Sequence, residues 1–214
     1  MSDIKETTNE TNNQGRIRQE NKKRIMSAAE TVFAKNGFRG STTASIAEVA
    51  GLPKANIHYY FGTKEELYRA VVDDIVELWL SSFREITEED DPASTLADYI
   101  RAKMELSRRR PFGSRVWASE ILGGAKFTSD YISVEVKTWL ENCETVIAGW
   151  IEDGRLTPID PKALMYMIWA TTQHYADFGA QIEILNGGKP LSDEQFLRAK
   201  ETVTTVILRG VGAL

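Results

Sequence analysis

The sequence contains one cysteine, Cys143, and two histidines among its 214 residues. A lone cysteine excludes an internal disulfide framework and any zinc site built from several cysteines, and we predict neither a metal nor a cofactor. No apolar run approaches the roughly 18 residues that a membrane span requires. The N-terminus also lacks the apolar core of a secretory signal. These absences predict a cytoplasmic protein without a membrane segment.

The sequence also lacks internal repeats and any useful length of the apolar–polar alternation that indicates strands. Thr63–Glu66 and Ser192–Gln195 have the capping-box pattern of a helix start, and Gly37 can end the first helix. Either Thr42 or Thr43 is the expected N-cap of the second helix. Asp160-Pro161 is a typical N-cap followed by an N1 proline. We therefore predict an all-α fold of about nine helices, at about residues 18–36, 43–50, 54–60, 64–86, 93–109, 112–123, 128–153, 161–185 and 192–210.

The net charge of −5 conceals an asymmetry along the chain. Residues 16–64 hold nine Lys or Arg against three Asp or Glu, a net charge of +6, whereas residues 65–214 carry −9. This division favours a basic module that faces a polyanion and an acidic body that does not, although a solvated charged face gives the same count. We predict a disordered polar and basic tail at 1–17, a helix-turn-helix DNA-binding domain at 18–64, and a helical ligand-binding and dimerisation domain at 65–214.

Residues 40–67 carry the most informative pattern. Two short helices flank Gly51, which permits a positive φ and a close approach of the helices. Ile46 and Ile57 belong to a small core between them. The second helix is left with outward donors and aromatics of the kind that contact base edges and phosphates in a major groove, namely Lys54, Asn56, His58 and Tyr59.

Short motifs within this segment are typical of one family. They are Gly37-Phe38, Thr42-Thr43, Ile46-Ala47, Ala50-Gly51-Leu52, Tyr59-Tyr60-Phe61 and Lys64-Glu65-Glu66-Leu67. Through them, residues 20–70 closely resemble the N-terminal domain of the TetR family of bacterial repressors. The resemblance implies a homodimer whose first three helices bind DNA and whose last two helices form the interface. Such a dimer implies a pseudo-palindromic operator.

The resemblance also implies individual DNA contacts. Thr42 and Thr43 lie where the family's second helix touches phosphates, and Lys64 begins helix four beside the DNA backbone. Tyr59 and Tyr60 lie where aromatic hydroxyls reach phosphates, although one of the two rings can pack into the core instead. The basic segment 16–24 either adds contacts to DNA or is a solvated tail. The recognition-helix positions are Lys54, Ala55, Asn56 and His58.

The segment Met165–Phe178 combines apolar residues with polar side chains, and Trp169 and Gln173 share one face at a spacing of four. The Gln173 carboxamide offers a donor and an acceptor that complement the adjacent C=O and N–H of a pyrimidinedione, and the indole N–H is a further donor. The alternative is that Trp169 is a core residue and that Gln173 bonds across the bundle or the dimer interface.

A second resemblance favours the ligand pocket. Gly149-Trp150-Ile151, Gly154-Arg155-Leu156, Pro158–Pro161 and Ile168–Phe178 look like the pyrimidine-utilisation repressors within the same family. This implies uracil or thymine as the effector and a pocket lined by Trp169 and Gln173. Secondary candidates for the pocket are Trp79, Met104, Arg115, Trp117 and Glu120.

Two other functions compete with this one. A regulator of the same family can sense a purine, an acyl or aromatic compound, or a cationic drug, although the polar Gln173 favours a small polar ring. An enzyme can use His174 and Asp177 as a base and its orienting group, but the sequence shows no nucleophile or metal-ligand set beside them. We therefore predict a ligand-responsive repressor rather than an enzyme.

Overall fold

The structure is a computed structural model that describes residues 3–81 and 86–214, with side chains from Gly15 onward. Within these residues the chain is helical and contains no strand, which confirms the all-α prediction. The helices are α1 (Asp3–Gly40), α2 (Thr43–Ala50), α3 (Lys54–Phe61), α4 (Lys64–Ser81), α5 (Pro92–Arg109), α6 (Pro111–Leu122), α7 (Ser129–Tyr131), α8 (Lys137–Glu152), α9 (Pro161–Asp177), α10 (Gly179–Leu185) and α11 (Asp193–Gly210), with a π-helical turn at Ile132–Val136.

Two boundaries differ from the prediction. The helix expected at 161–185 is interrupted at Phe178, whose φ of −104° and ψ of 24° separate α9 from α10. α1 begins at Asp3, although residues 1–17 were expected to form a disordered tail. Extending an existing helix costs far less than starting one, because each added residue contributes a hydrogen bond. The part of the predicted fourth helix at 82–85 lies outside the described residues.

The chain divides into two compact units, Met1–Asp73 and Asp74–Leu214. The division falls within α4, whereas the predicted domain boundary lies between 64 and 65, and that boundary stays a prediction. In the first unit, α1 packs against α2 and α2 against α3. Its core consists of fully buried apolar side chains from four helices, among them Ile25, Phe33, Ile46, Ile57 and Leu67.

The helix starts follow the predicted capping chemistry. Thr42 is the N-cap of α2, where its hydroxyl accepts from the Ser45 N–H at 3.0 Å. The Thr63 N–H donates to the Glu66 carboxylate at 2.7 Å, and the Glu66 N–H donates to the Thr63 hydroxyl at 3.1 Å. Two further helix starts follow the predicted pattern. Ser192 forms a capping box with Gln195 at the start of α11, and Asp160 is the N-cap before the N1 proline of α9. These caps satisfy backbone N–H groups that a helix leaves unpaired.

In the second unit, α5 packs against α6, α9 and α11, and α9 also contacts α6 and α8. The centre of this unit is the Trp150 side chain, which is completely buried among apolar residues of α5, α8, α9 and α11. The Trp150 indole N–H donates to the Glu88 carbonyl at 3.0 Å, and Arg155 donates to the Glu88 and Asp90 carbonyls. These bonds fasten the turn before α5 to the end of α8. None of the described helices is both long and apolar enough to cross a membrane.

Candidate DNA-binding surface and ligand cavity

The turn between α2 and α3 is built around Gly51. Its φ of 62° and ψ of 38° lie in the left-handed region, and its N–H closes α2 by donating to the Ala47 and Glu48 carbonyls. Arg24 of α1 reaches this turn, where its guanidinium donates to the Ala50 carbonyl at 2.8 Å and the Gly51 carbonyl at 3.3 Å. A basic residue that the sequence assigned to a DNA-facing segment therefore has a structural role.

We expect Arg24→Ala to lower the free energy of unfolding by about 1–2 kcal/mol, because two carbonyls at the end of α2 lose a charged donor. Thermal unfolding measures this loss. Arg39→Ala is the matched control, since it removes the same charge from another exposed position, which lies beyond the break in α1 at Gly37 (φ 65°, ψ 174°). Equal stability of the two variants would show that the Arg24 bonds contribute nothing.

The outward side of α3 carries the predicted recognition residues. Lys54, Ala55 and His58 are exposed, and Tyr59 is 69% exposed. The His58 Nδ1 lies 2.9 Å from the Gly62 carbonyl. Because a carbonyl only accepts, Nδ1 carries the proton of this bond, and Nε2 of a neutral ring is then an acceptor. The other predicted contacts at this surface are Thr42, which is exposed, and Thr43, Asn56, Tyr60 and Lys64, which are half-buried.

Basic side chains of α1 lie close to aromatic rings of α3. The Arg18 guanidinium lies 5.9 Å from the centre of the Tyr59 ring, and the Lys22 ammonium lies 5.8 Å from that of Phe61. Tyr59 and Tyr60 meet edge to face with ring centres 5.0 Å apart, and Tyr60 is the more buried of the two. The basic segment 16–24 thus adds positive charge beside the recognition helix.

Lys64 has internal partners. Its ammonium donates to the Phe38 carbonyl at 2.9 Å and the Ser41 carbonyl at 3.0 Å, and it lies 4.4 Å from the centre of the Phe38 ring. The side chain therefore connects the start of α4 to the end of α1 and to the residue that follows it, Ser41. Its predicted phosphate contact stays a prediction.

A cavity of about 70 Å³ lies in the second unit. One water occupies about 10–15 Å³ on this measure, so the cavity suits a single small ring. Four predicted residues meet there: Trp79 from α4, Trp117 from α6, and both Trp169 and Gln173 from α9. The remaining lining residues are Val76, Leu80, Tyr99, Lys103, Val136 and Trp139.

Aromatic residues make up half of those that line the cavity. Trp79 and Trp117 meet edge to face at 5.7 Å, and Trp139 stacks on Trp169 at 6.2 Å. The Trp169 indole N–H donates to the Tyr99 hydroxyl at 2.8 Å. This bond corrects the expectation that the indole N–H is kept for the ligand. Burial raises the pKa of the Tyr99 phenol well above its usual value, so Tyr99 stays neutral.

Three secondary candidates lie elsewhere. The Arg115 Nε donates to the Ala176 carbonyl at 3.2 Å, and the side chain lines a different cavity. The buried Glu120 carboxylate accepts from the Phe127 N–H at 2.7 Å and thus holds the segment after α6. Met104 is completely buried in the core. The geometry therefore does not place these three residues at the cavity with Gln173.

Among the cavity residues that sequence reasoning missed, Lys103 of α5 is the charged one. It is only 3% exposed, and its ammonium lies 4.1 Å from the centre of the Trp79 ring. Burial lowers the pKa of Lys103 to about 7, against the opposing field of Asp177. The signal was its place in the stripe Leu96, Ile100, Lys103 and Ser107, all four of which are buried.

Asp177 provides the countercharge for Lys103. Its carboxylate accepts from the Ser114 hydroxyl at 2.5 Å, so the α9 residue is joined to α6. Burial raises the pKa of Asp177, whereas the Ser114 bond and the nearby positive charge of Lys103 oppose that shift. The buried Lys103 amine and the half-buried Asp177 carboxyl thus favour each other's charged form.

Comparison with known proteins places this architecture in a family. Residues 25–71 match the family described as bacterial regulatory proteins of the tetR family, and residues 72–214 match the YcdC-like protein, C-terminal region. The chain belongs to the TetR family of bacterial regulatory proteins. It is a DNA-binding, ligand-responsive transcriptional regulator.

Among its relatives is the HTH-type transcriptional regulator RutR of Escherichia coli (strain K12). The two are 40% identical over 190 residues, which cover 89% of this chain and 90% of RutR. The ketosteroid transcriptional regulator KstR2 of Mycobacterium tuberculosis has the same fold, with a TM-score of 0.69 at 20% identity over 89% of this chain and 94% of that one. The TetR family transcriptional regulator PfmR of Thermus thermophilus also scores 0.69, at 16% identity over 86% and 97%.

Proposed function

We propose that the protein is a cytoplasmic repressor that binds a pseudo-palindromic operator as a homodimer and is released by a small planar effector, with uracil or thymine preferred. The first unit binds DNA, with Lys54, Asn56 and His58 facing the bases and the Thr and Tyr hydroxyls facing phosphates. Exposure of the α3 side chains and the +6 charge of residues 16–64 support this assignment.

The proposed dimer uses α9 and α11. The outward side of α9 carries Ala163, Met167, Ala170 and His174 at spacings of four, three and four, and all four are exposed. On α11, Val206 is 63% exposed. An apolar helical stripe at this spacing is the pattern with which helices pair. A second copy of the chain would cover both surfaces.

The position of Gln173 carries the effector proposal. A carboxamide within an aromatic wall provides one donor and one acceptor to a flat ring, which is the complement of a pyrimidinedione edge. The resemblance to pyrimidine-utilisation repressors and the 40% identity with RutR support the same choice. The polar Gln173 carboxamide favours a small polar ring over an acyl chain or a multidrug ligand.

Release of the operator then follows from a shift between two states of the dimer. The effector stabilises a state in which the two DNA-binding units do not match the half-site spacing, and α4, which contributes residues to both units, carries the change. A coupling free energy of about 1–3 kcal/mol between effector binding and operator binding is typical of such regulators.

Gln173→Ala tests the effector site. We expect uracil affinity to fall about thirtyfold, or about 2 kcal/mol, because two hydrogen bonds to the ring are lost, and release of the operator by uracil should disappear at concentrations that release the wild type. Gel shifts with the DNA upstream of the gene that encodes this protein, over a range of uracil concentrations, measure both the apparent uracil affinity and the release of the operator. Gln181→Ala, an exposed glutamine on α10, is the control. Normal release by the Gln173 variant would contradict the proposed site.

The structure supports a regulator over the enzyme alternative. His174 stacks on Phe178 with ring centres 4.9 Å apart, whereas Asp177 binds Ser114. The two side chains thus have different partners, while the base-and-orienter hypothesis requires them to bind each other. Thermal-shift screening of uracil, thymine, xanthine, acyl-CoA and dyes distinguishes the possible effectors, since a ligand at 100 times its Kd adds about 2.7 kcal/mol of stability.

A further inference from the structure

Lys103 is the charged side chain among the described residues that line the ligand cavity. Its ammonium is held against the Trp79 ring at 4.1 Å, and its countercharge, Asp177, is fixed by Ser114. The ammonium therefore has a fixed aromatic neighbour and a negative charge nearby. A ring that enters between the aromatic walls meets two polar groups of different character, the Gln173 carboxamide and the Lys103 ammonium.

The two groups differ in what they can distinguish. A carboxamide that rotates by half a turn exchanges its donor and its acceptor, so Gln173 can pair with the edge of an oxo ring or with that of an amino ring. An ammonium has three donors and no acceptor. It binds a carbonyl oxygen, but opposite a ring amino group it leaves two donors facing each other without water.

We infer that Lys103 is the specificity-determining residue of the cavity, selecting a heterocycle with a ring carbonyl over the same heterocycle with an amino group at that place. This inference rests on the proposed function, because it assigns selectivity to the same effector site. Asp177 is a positioning residue, since it acts on the ligand through Lys103. In the wild type we expect uracil to bind about a hundredfold more tightly than cytosine.

The test is calorimetric titration of uracil and cytosine into the wild type and Lys103→Met. We expect the variant to lose uracil affinity at least tenfold and to bind the two rings within about threefold of each other. Lys200→Met is the control, because Lys200 is also largely buried and paired with an acid, Glu105, outside the cavity. If Lys103→Met does not fold because Asp177 is left without its partner charge, the double variant Lys103→Met/Asp177→Asn is used in its place, since it removes both charges.

The outcomes separate this inference from the pyrimidine assignment. If the wild type prefers uracil and Lys103→Met keeps that preference, the role of Lys103 is wrong and the effector stands. If the wild type binds neither pyrimidine but binds hypoxanthine over adenine, and Lys103→Met abolishes that preference, the effector is wrong and the role of Lys103 stands. Binding of none of the four rings overturns both.

The pH dependence provides a second readout. Lys103, with a pKa of about 7, changes from mostly charged at pH 6 to mostly neutral at pH 8. Only the charged form is a pure donor, so wild-type uracil affinity should fall about tenfold over that range and that of Lys103→Met should not. The other titratable groups beside Lys103 are Asp177 on α9 and Tyr99 on α5, and the charges of Arg115 on α6 and His174 on α9 act on Asp177 in turn. From α4, the cavity is lined by Val76, Trp79 and Leu80. A flat wild-type profile would contradict the role of a charged Lys103.

Discussion

Met167→Glu combined with Val206→Glu is expected to yield a monomer that binds the operator more than about a hundredfold more weakly than the wild type. The two carboxylates would lie in the proposed interface of α9 and α11, where a desolvated charge without a partner opposes association. Operator affinity falls when the dimer is lost. A dimer binds the second half-site as an intramolecular step, which raises the overall affinity by about 10²–10⁴. Analytical ultracentrifugation gives the mass, and gel shifts give the operator affinity.

The control places the same charges elsewhere. Leu122→Glu with Val134→Glu alters two other apolar side chains, of which Leu122 is 89% exposed. Neither belongs to α9 or α11. Both double variants should fold, since exposed substitutions change stability by about 0.5 kcal/mol or less. A Met167/Val206 variant that keeps the dimer mass would refute the proposed interface.

Helix starts and turns were predictable because their chemistry is local. Thr42, Thr63, Asp160 and Ser192 satisfy backbone groups within three residues of themselves. The break at Phe178 has no such signal. There, the Arg115 Nε of α6 donates to the Ala176 carbonyl at 3.2 Å, so the end of α9 is supported by a side chain that is distant in the sequence. Contacts of this kind depend on tertiary packing and cannot be found from spacing.

The cavity shows the same limit. Trp169 and Gln173 were predictable because a spacing of four on one helix fixes their common face. On α6, however, Trp117 enters the cavity and Arg115 binds the Ala176 carbonyl. Residues two apart on a helix differ by a rotation of about 200°, and only packing decides which of them faces the cavity. Lys103 was missed because a lysine is usually exposed, so its place in an apolar stripe was the only indication.

Burial of Trp150 leads to the second large effect. We expect Trp150→Ala to lower the free energy of unfolding by about 3–5 kcal/mol, because an indole that is 0% exposed leaves a cavity and the Glu88 carbonyl loses one of its two donors. The turn containing Glu88 leads into α5, which carries Tyr99 and Lys103. A loosened turn should therefore also weaken uracil binding. Urea unfolding at one fixed protein concentration measures the loss, since the stability of a dimer depends on concentration.

Two comparisons separate the contributions of volume and hydrogen bonding. Trp150→Phe keeps most of the ring but removes the indole N–H, so we expect it to cost clearly less than Trp150→Ala. Trp139→Ala removes the same side chain from a half-buried position in the cavity wall, and it should destabilise less while weakening uracil binding directly. Equal losses of stability for Trp150→Ala and Trp139→Ala would mean that the centre of the second unit is not at Trp150.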